Sequence, residues 1–123
     1  MTLRVGVVSD VHMRSAYREA LTDELSRIVD RFDRFGPDLV VALGDIVEDE
    51  TAERDREHIE LVREQLSFGP PLRMLAGNHD VQNLSSETLQ SLFGNPLGGT
   101  ARIGGETLVF LNSAAPRLGN PRG

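Results

Sequence analysis

The chain has 123 residues, of which 39% are hydrophobic and 26% charged, and 13 basic against 19 acidic side chains leave a net charge of -6. That length supports one soluble globular domain with a core of its own, and the acidic balance argues against an extended nucleic-acid surface, which would be basic. The absence of cysteine excludes disulfides and thiolate metal sites. No stretch is apolar and long enough for a membrane partner, and the N-terminus enters a strand pattern without a signal-peptide layout, so the default localisation is cytoplasmic.

Leu3 to Ser9, "LRVGVVS", is a β-branched run that predicts a strand buried on both faces. A helix follows from about Ala16 to Phe35, because Leu21, Leu25, Ile28, Phe32 and Phe35 recur at steps of four and three, and Gly36-Pro37 stops it. Asp38 to Leu43, "DLVVAL", is a second buried strand. Thr51 to Leu66 is a second, polar helix with Ile59, Val62 and Leu66 as its apolar stripe. The charge run "EDETAERDREHIE" that leads into it reads as a solvated face with an i,i+4 pair Glu50–Arg54, and His58 as a solvated helix residue. Gly69 to Pro71 ends that segment, and Leu72 to Ala76 is a third strand.

This is β-α-β-α-β, an alternation that implies an α/β fold with a parallel sheet and right-handed crossovers. A third helix is expected over Ser86 to Phe93, with Ser85 as its cap and Leu84 and Leu89 as a hydrophobic staple. Thr100 to Ile103 and Glu106 to Asn112 then read as two strands of a hairpin turning at Gly104-Gly105. The tail from Ser113 is loop-like, and Gly98-Gly99 is a turn, too short to cradle a phosphate.

Each of the three parallel strands runs out into polar, metal-binding residue types. Asp10 and His12 follow the first, Gly44 and Asp45 the second, and Gly77, Asn78, His79 and Asp80 the third. Ligands of open parallel sheets collect beyond the carboxyl ends of the strands. With neighbouring strands about 4.8 Å apart, three such ends can bring these side chains together. Taken singly, an Asp after a strand is a turn or cap residue. Several carboxylates converging on one spot need a cation to hold their charge. Oxygen and imidazole donors without sulfur suit Mn, Fe, Zn, Ni or Mg.

The ordered motifs "DVH", "GD" and "GNHD" on βαβαβ spacing resemble those of the calcineurin-like metallophosphoesterase family. The motif resemblance runs from about Leu3 to Asp80, and the later hairpin also suits that fold. It implies the first half of an α/β/β/α sandwich. It further implies hydrolysis of phosphate monoesters or diesters at a dinuclear centre of divalent ions (Mn, Fe, Zn or Ni). On that resemblance Asp10 and His12 hold the first metal, Asp45 bridges both and Asn78 holds the second. His79 protonates the leaving group or contacts the phosphate, with Asp80 paired to its imidazole.

Family members carry two further histidine motifs, one of them G-H-x-H, whereas the histidines here are His12, His58 and His79. The chain, 1–123, therefore reads as one metallophosphoesterase-like domain truncated at its C-terminus. It is expected to hold one metal firmly and to self-associate or dock with a complementing chain. The alternative is a degenerate member that serves as a non-catalytic protein-binding or assembly module.

Overall fold

In the structure, a computed structural model, residues 2–114 are described. The expected tail from Ala115 onward lies outside them. Three parallel strands, β1 (Val5–Val8), β2 (Leu39–Ala42) and β3 (Leu72–Met74), form one sheet in the order β1-β2-β3. The register pairs Gly6 with Val40 and Val8 with Ala42, then Val40 with Leu72 and Ala42 with Met74. Side chains alternate across a strand, so these residues share one face. Gly6 marks it as the helix face, because a Cβ there would meet the Phe32 ring at 3.3 Å.

The helices α1 (Arg18–Phe35), α2 (Ala52–Leu66) and α3 (Ser86–Phe93) cover that face. Two right-handed crossovers taken in the same direction along a sheet put their helices on the same side. Helix α2 lies between α1 and α3. Its ends follow from side-chain chemistry: Thr51 accepts from the Arg54 N–H. Ser85 accepts from the Thr88 N–H in the same way at the start of α3. The staple residues Leu84 and Leu89 are both buried. The amide of Asn95 clamps the edge strand β3, accepting from Met74 N at 3.0 Å and donating to Met74 O at 2.9 Å.

Two expectations for α2 are corrected. His58 and Asp55 are fully buried, not solvated. Because α2 has a neighbour on either side, its inward stripe is wide enough to include 55 and 58 as well as 59, 62 and 66. Arg54 pairs with Glu57 at 3.4 Å, and Glu50 accepts instead from the Ser15 N–H and hydroxyl. The cause is that the helix starts at Ala52, leaving Glu50 in the preceding loop.

The strands β4 (Gly99–Ile103) and β5 (Glu106–Phe110) form the antiparallel hairpin, turning at Gly104-Gly105. The hairpin meets the far face of the sheet at Arg73. The guanidinium of Arg73 lies 4.6 Å from the Phe110 ring centre and donates to Gly98 O at 2.7 Å. That contact is at the β3 side. At the β1 side, Val7 is 52% exposed, so β1 is buried on one face among the described residues, not on two.

Candidate metal centre

The parallel pairing of β1 and β2 continues past the strand ends. Asp10 N donates to Gly44 O at 3.1 Å, His12 N to Asp45 O at 2.9 Å and Met13 N to Ile46 O at 2.8 Å. Val47 bridges back to Met13, and Glu48 N donates to Met13 O. The two loops are thus zipped together by backbone bonds, which fixes where Asp10, His12, Asp45 and Glu48 stand.

The third strand end is tied on through Asp45, whose Oδ1 accepts the His79 N–H at 3.0 Å. This close approach requires glycine at 77, since a Cβ there would fall on the Asp45 carboxylate and N–H. Gly44 has φ +108° and its Cα faces the Gly77 backbone, a conformation and a spacing that side chains oppose. Among the described residues, the non-glycine ones with positive φ are Asp10, His12, Asp45 and Asp49, all of them in these loops. Each such residue stores about 1–3 kcal/mol of strain, which concentrates where a constellation is held in place.

Asp10, His12 and Asp45 each offer a donor atom, and the three lie within 4.8 Å of one another. His12 Nε2 stands 3.4 Å from Asp10 Oδ1. Asp10 also accepts from the Ser9 hydroxyl, which together with His12 holds its carboxyl below the usual range despite some desolvation. Asn78, the fourth expected ligand, is exposed at the rim, and its side chain makes no hydrogen bond among the described residues. Arg14, the nearby cation, is engaged by Glu48 Oε2 at 3.2 Å and by His12 O at 2.9 Å. Asp10 and Asp45 are therefore left facing each other around one imidazole, a donor set that fits a divalent ion.

The His79 ring does not pair with Asp80. Its Nδ1 meets Asp49 Oδ2, and this bond, helped by the nearby charges of Asp45, Asp49 and Glu48, raises the His79 pKa against desolvation. Asp80 turns inward instead. It is fully buried, and its two oxygens accept from Gly77 N at 2.8 Å and Val47 N at 3.1 Å. Burial pushes its carboxyl up to about 6 against the pull of those N–H groups. The physical reason for the exchange is the tight 77–80 turn, in which the Asp80 N–H bonds to Gly77 O and its side chain points back under the turn.

Over residues 3–119 the sequence matches the calcineurin-like phosphoesterase family. The chain belongs to that family. A solved structure described as a dimetal phosphatase from Danio rerio shares the fold, with a TM-score of 0.63 at 20% identity. The alignment covers 72% of this chain and 33% of that one, so this chain spans well under half of its neighbour's length. Comparison with curated proteins gives no match. Calcineurin-like phosphoesterases carry out metal-dependent phosphoester hydrolysis, and Asp10, His12 and Asp45 form a group able to hold an ion. No helix of the described residues is long and apolar enough to cross a membrane.

Two residues of the centre were missed in the sequence. Glu48 and Asp49 open the run read as solvated, yet Glu48 Oε2 lies 3.2 Å from His12 Nδ1 and Asp49 holds His79. Their spacing from Asp45, three and four residues on, was the available signal. It was masked by the acidic run that continues into α2.

Proposed function

We propose that this chain hydrolyses phosphate monoesters or diesters with divalent metal ions held by Asp10, His12, Asp45 and Asn78. The observation that carries the reading is the convergence of Asp10, His12 and Asp45 at adjacent strand ends. Asp45 occupies the middle strand end, from which a carboxylate can reach an ion on either side. Bound ions would supply positive charge to the phosphate oxygens and lower the pKa of water. His79, raised in pKa and held by Asp49, can give a proton to the departing oxygen or donate to the phosphate. Asp80 fixes the turn that carries Asn78 and His79.

The test is metal titration and turnover of bis-p-nitrophenyl phosphate by the purified chain with Mn, Zn, Fe or Ni. Asp45→Ala is expected to lose at least about 100-fold in turnover and most of its metal affinity. A wild-type chain with no turnover under any of these metals overturns the catalytic reading.

One observation favours a second reading, a non-catalytic assembly module. Val7 and Leu43 are 52% and 48% exposed at diagonal positions on the sheet face opposite the helices, while Val41, the register partner of Val7, is buried. An apolar open face of this kind suits a partner or a second copy of the chain. Sedimentation of the chain alone separates the two readings when combined with the turnover assay.

A further inference from the structure

His12 stands between two sets of donors. Its Nε2 faces Asp10 and belongs with Asp45 to the group described above. Its Nδ1 faces the other way. That nitrogen is shut off from solvent and makes no hydrogen bond, although Glu48 Oε2 is 3.2 Å away, off the line of the ring N–H. The His79 ring stands edge-on to the His12 ring, with centroids 5.0 Å apart and planes at 77°. One donor atom from each of His12, Glu48 and His79 falls within 4.8 Å of the others.

We propose that His12, Glu48 and His79 form a second binding site for a first-row transition ion, distinct from the Asp10–Asp45 site and using the opposite nitrogen of His12, whose remaining ring proton is released to solvent when both sites are filled. Two imidazoles and one carboxylate, each from a different strand end, are a donor set for Zn, Fe or Co and a poor one for Mg or Ca. The surroundings are those of ligands held in place. Asp49 takes Nδ1 of His79, which leaves Nε2 as the ring's lone-pair atom, and a carboxylate on the outer ring nitrogen is the usual support of a metal-binding histidine. Arg14 Nη1 holds the Glu48 oxygen that faces His12, Oε2, at 3.2 Å and so fixes where it stands, leaving Oε1 as the carboxylate's second donor atom. An orphaned, solvent-excluded nitrogen beside a carboxylate that it does not bond is explained by an ion shared between them.

The inference goes beyond the hydrolase reading and does not require turnover. It carries one consequence for it: an ion on His79 removes that ring from proton donation. High concentrations of a transition metal would then oppose hydrolysis that low concentrations support.

The experiment uses zinc and cobalt with variants that separate the two sites. Asp45→Asn keeps the acceptor for the His79 N–H while weakening the Asp10–Asp45 site, and Asp10→Ala, at an exposed side chain, does the same if Asp45→Asn disturbs folding. In either background the chain is expected to bind one zinc ion by calorimetry, to move the imidazole nitrogen resonances of both His12 and His79, and to give cobalt visible absorption. Adding Glu48→Gln should weaken that binding at least about tenfold. The proposal is overturned if folded Asp45→Asn and Asp10→Ala chains bind no zinc, or if Glu48→Gln leaves zinc affinity unchanged. A wild-type chain that binds zinc in this way but hydrolyses nothing would sink the hydrolase reading alone.

Discussion

Asp80 shows how one side chain can hold a site without facing it. Its two oxygens satisfy the N–H groups of Gly77 and Val47, one on each of two converging loops. Asp80→Ala leaves both donors buried without partners and opens a small void. It should cost about 2–4 kcal/mol, seen as a lower midpoint in urea with little change in slope. Metal affinity should fall too, because the turn carrying Asn78 and His79 loses its anchor. An unchanged midpoint would mean that the loops are held by the backbone zipper alone. The sequence put Asp80 at the third strand end, next to His79. It could not show the direction of the side chain, because both candidate partners, His79 and the turn's own backbone, lie within three residues.

Helix α2 carries the largest correction, since the residues read as most soluble are its most enclosed. His58 is fully buried, and burial pushes its pKa below the ordinary value, with Glu50 at 3.5 Å opposing the shift. Neither ring nitrogen makes a hydrogen bond. The sign follows directly. With the folded pKa below 6.5, the unfolded chain binds more protons, so this contribution is intact above pH 6.5 and is lost as pH falls below it. Asp80 acts in the opposite sense. Its folded pKa of about 6 lies above the unfolded 3.8, so its contribution diminishes as pH rises through that interval. Comparing wild type with His58→Leu at each pH isolates the histidine. The difference in unfolding free energy should shift in favour of the variant as pH drops from 7 to 5. A difference constant over that range would place His58 in contact with water.

For the molecule as a whole, the charge of -6 is the controlling quantity. Asp10, Asp45, Glu48, Asp49 and Glu50 crowd into the loops at one end of the sheet, where Arg14, paired with Glu48, offsets only part of their charge. Self-repulsion at low ionic strength should destabilise the folded state, and salt should screen it. Thermal melts of the metal-free chain are expected to rise steadily between low and molar KCl. A flat or falling curve would show that the acidic excess does not limit the stability of the fold.

The sequence by itself determined the layering and the ends. β-Branched runs separated by helical stripes gave three parallel strands, and Ser85, Gly36 and Gly104-Gly105 marked a cap, a stop and a turn. These signals are local, carried by residues within a few positions of one another. It also placed Asp10, His12 and Asp45 at one point, because strand order and spacing leave little freedom in where strand ends meet. Tertiary structure decided what depends on packing between distant segments. Asp49 rather than Asp80 holds His79, Glu48 approaches His12 from the neighbouring loop, and α2 takes Asp55 and His58 into the interior. No local pattern separates a buried acid from a solvated one in a charged run. The choice is made when α1 and α3 close on either side of α2, and when the zipped loops bring residue 48 against residue 12.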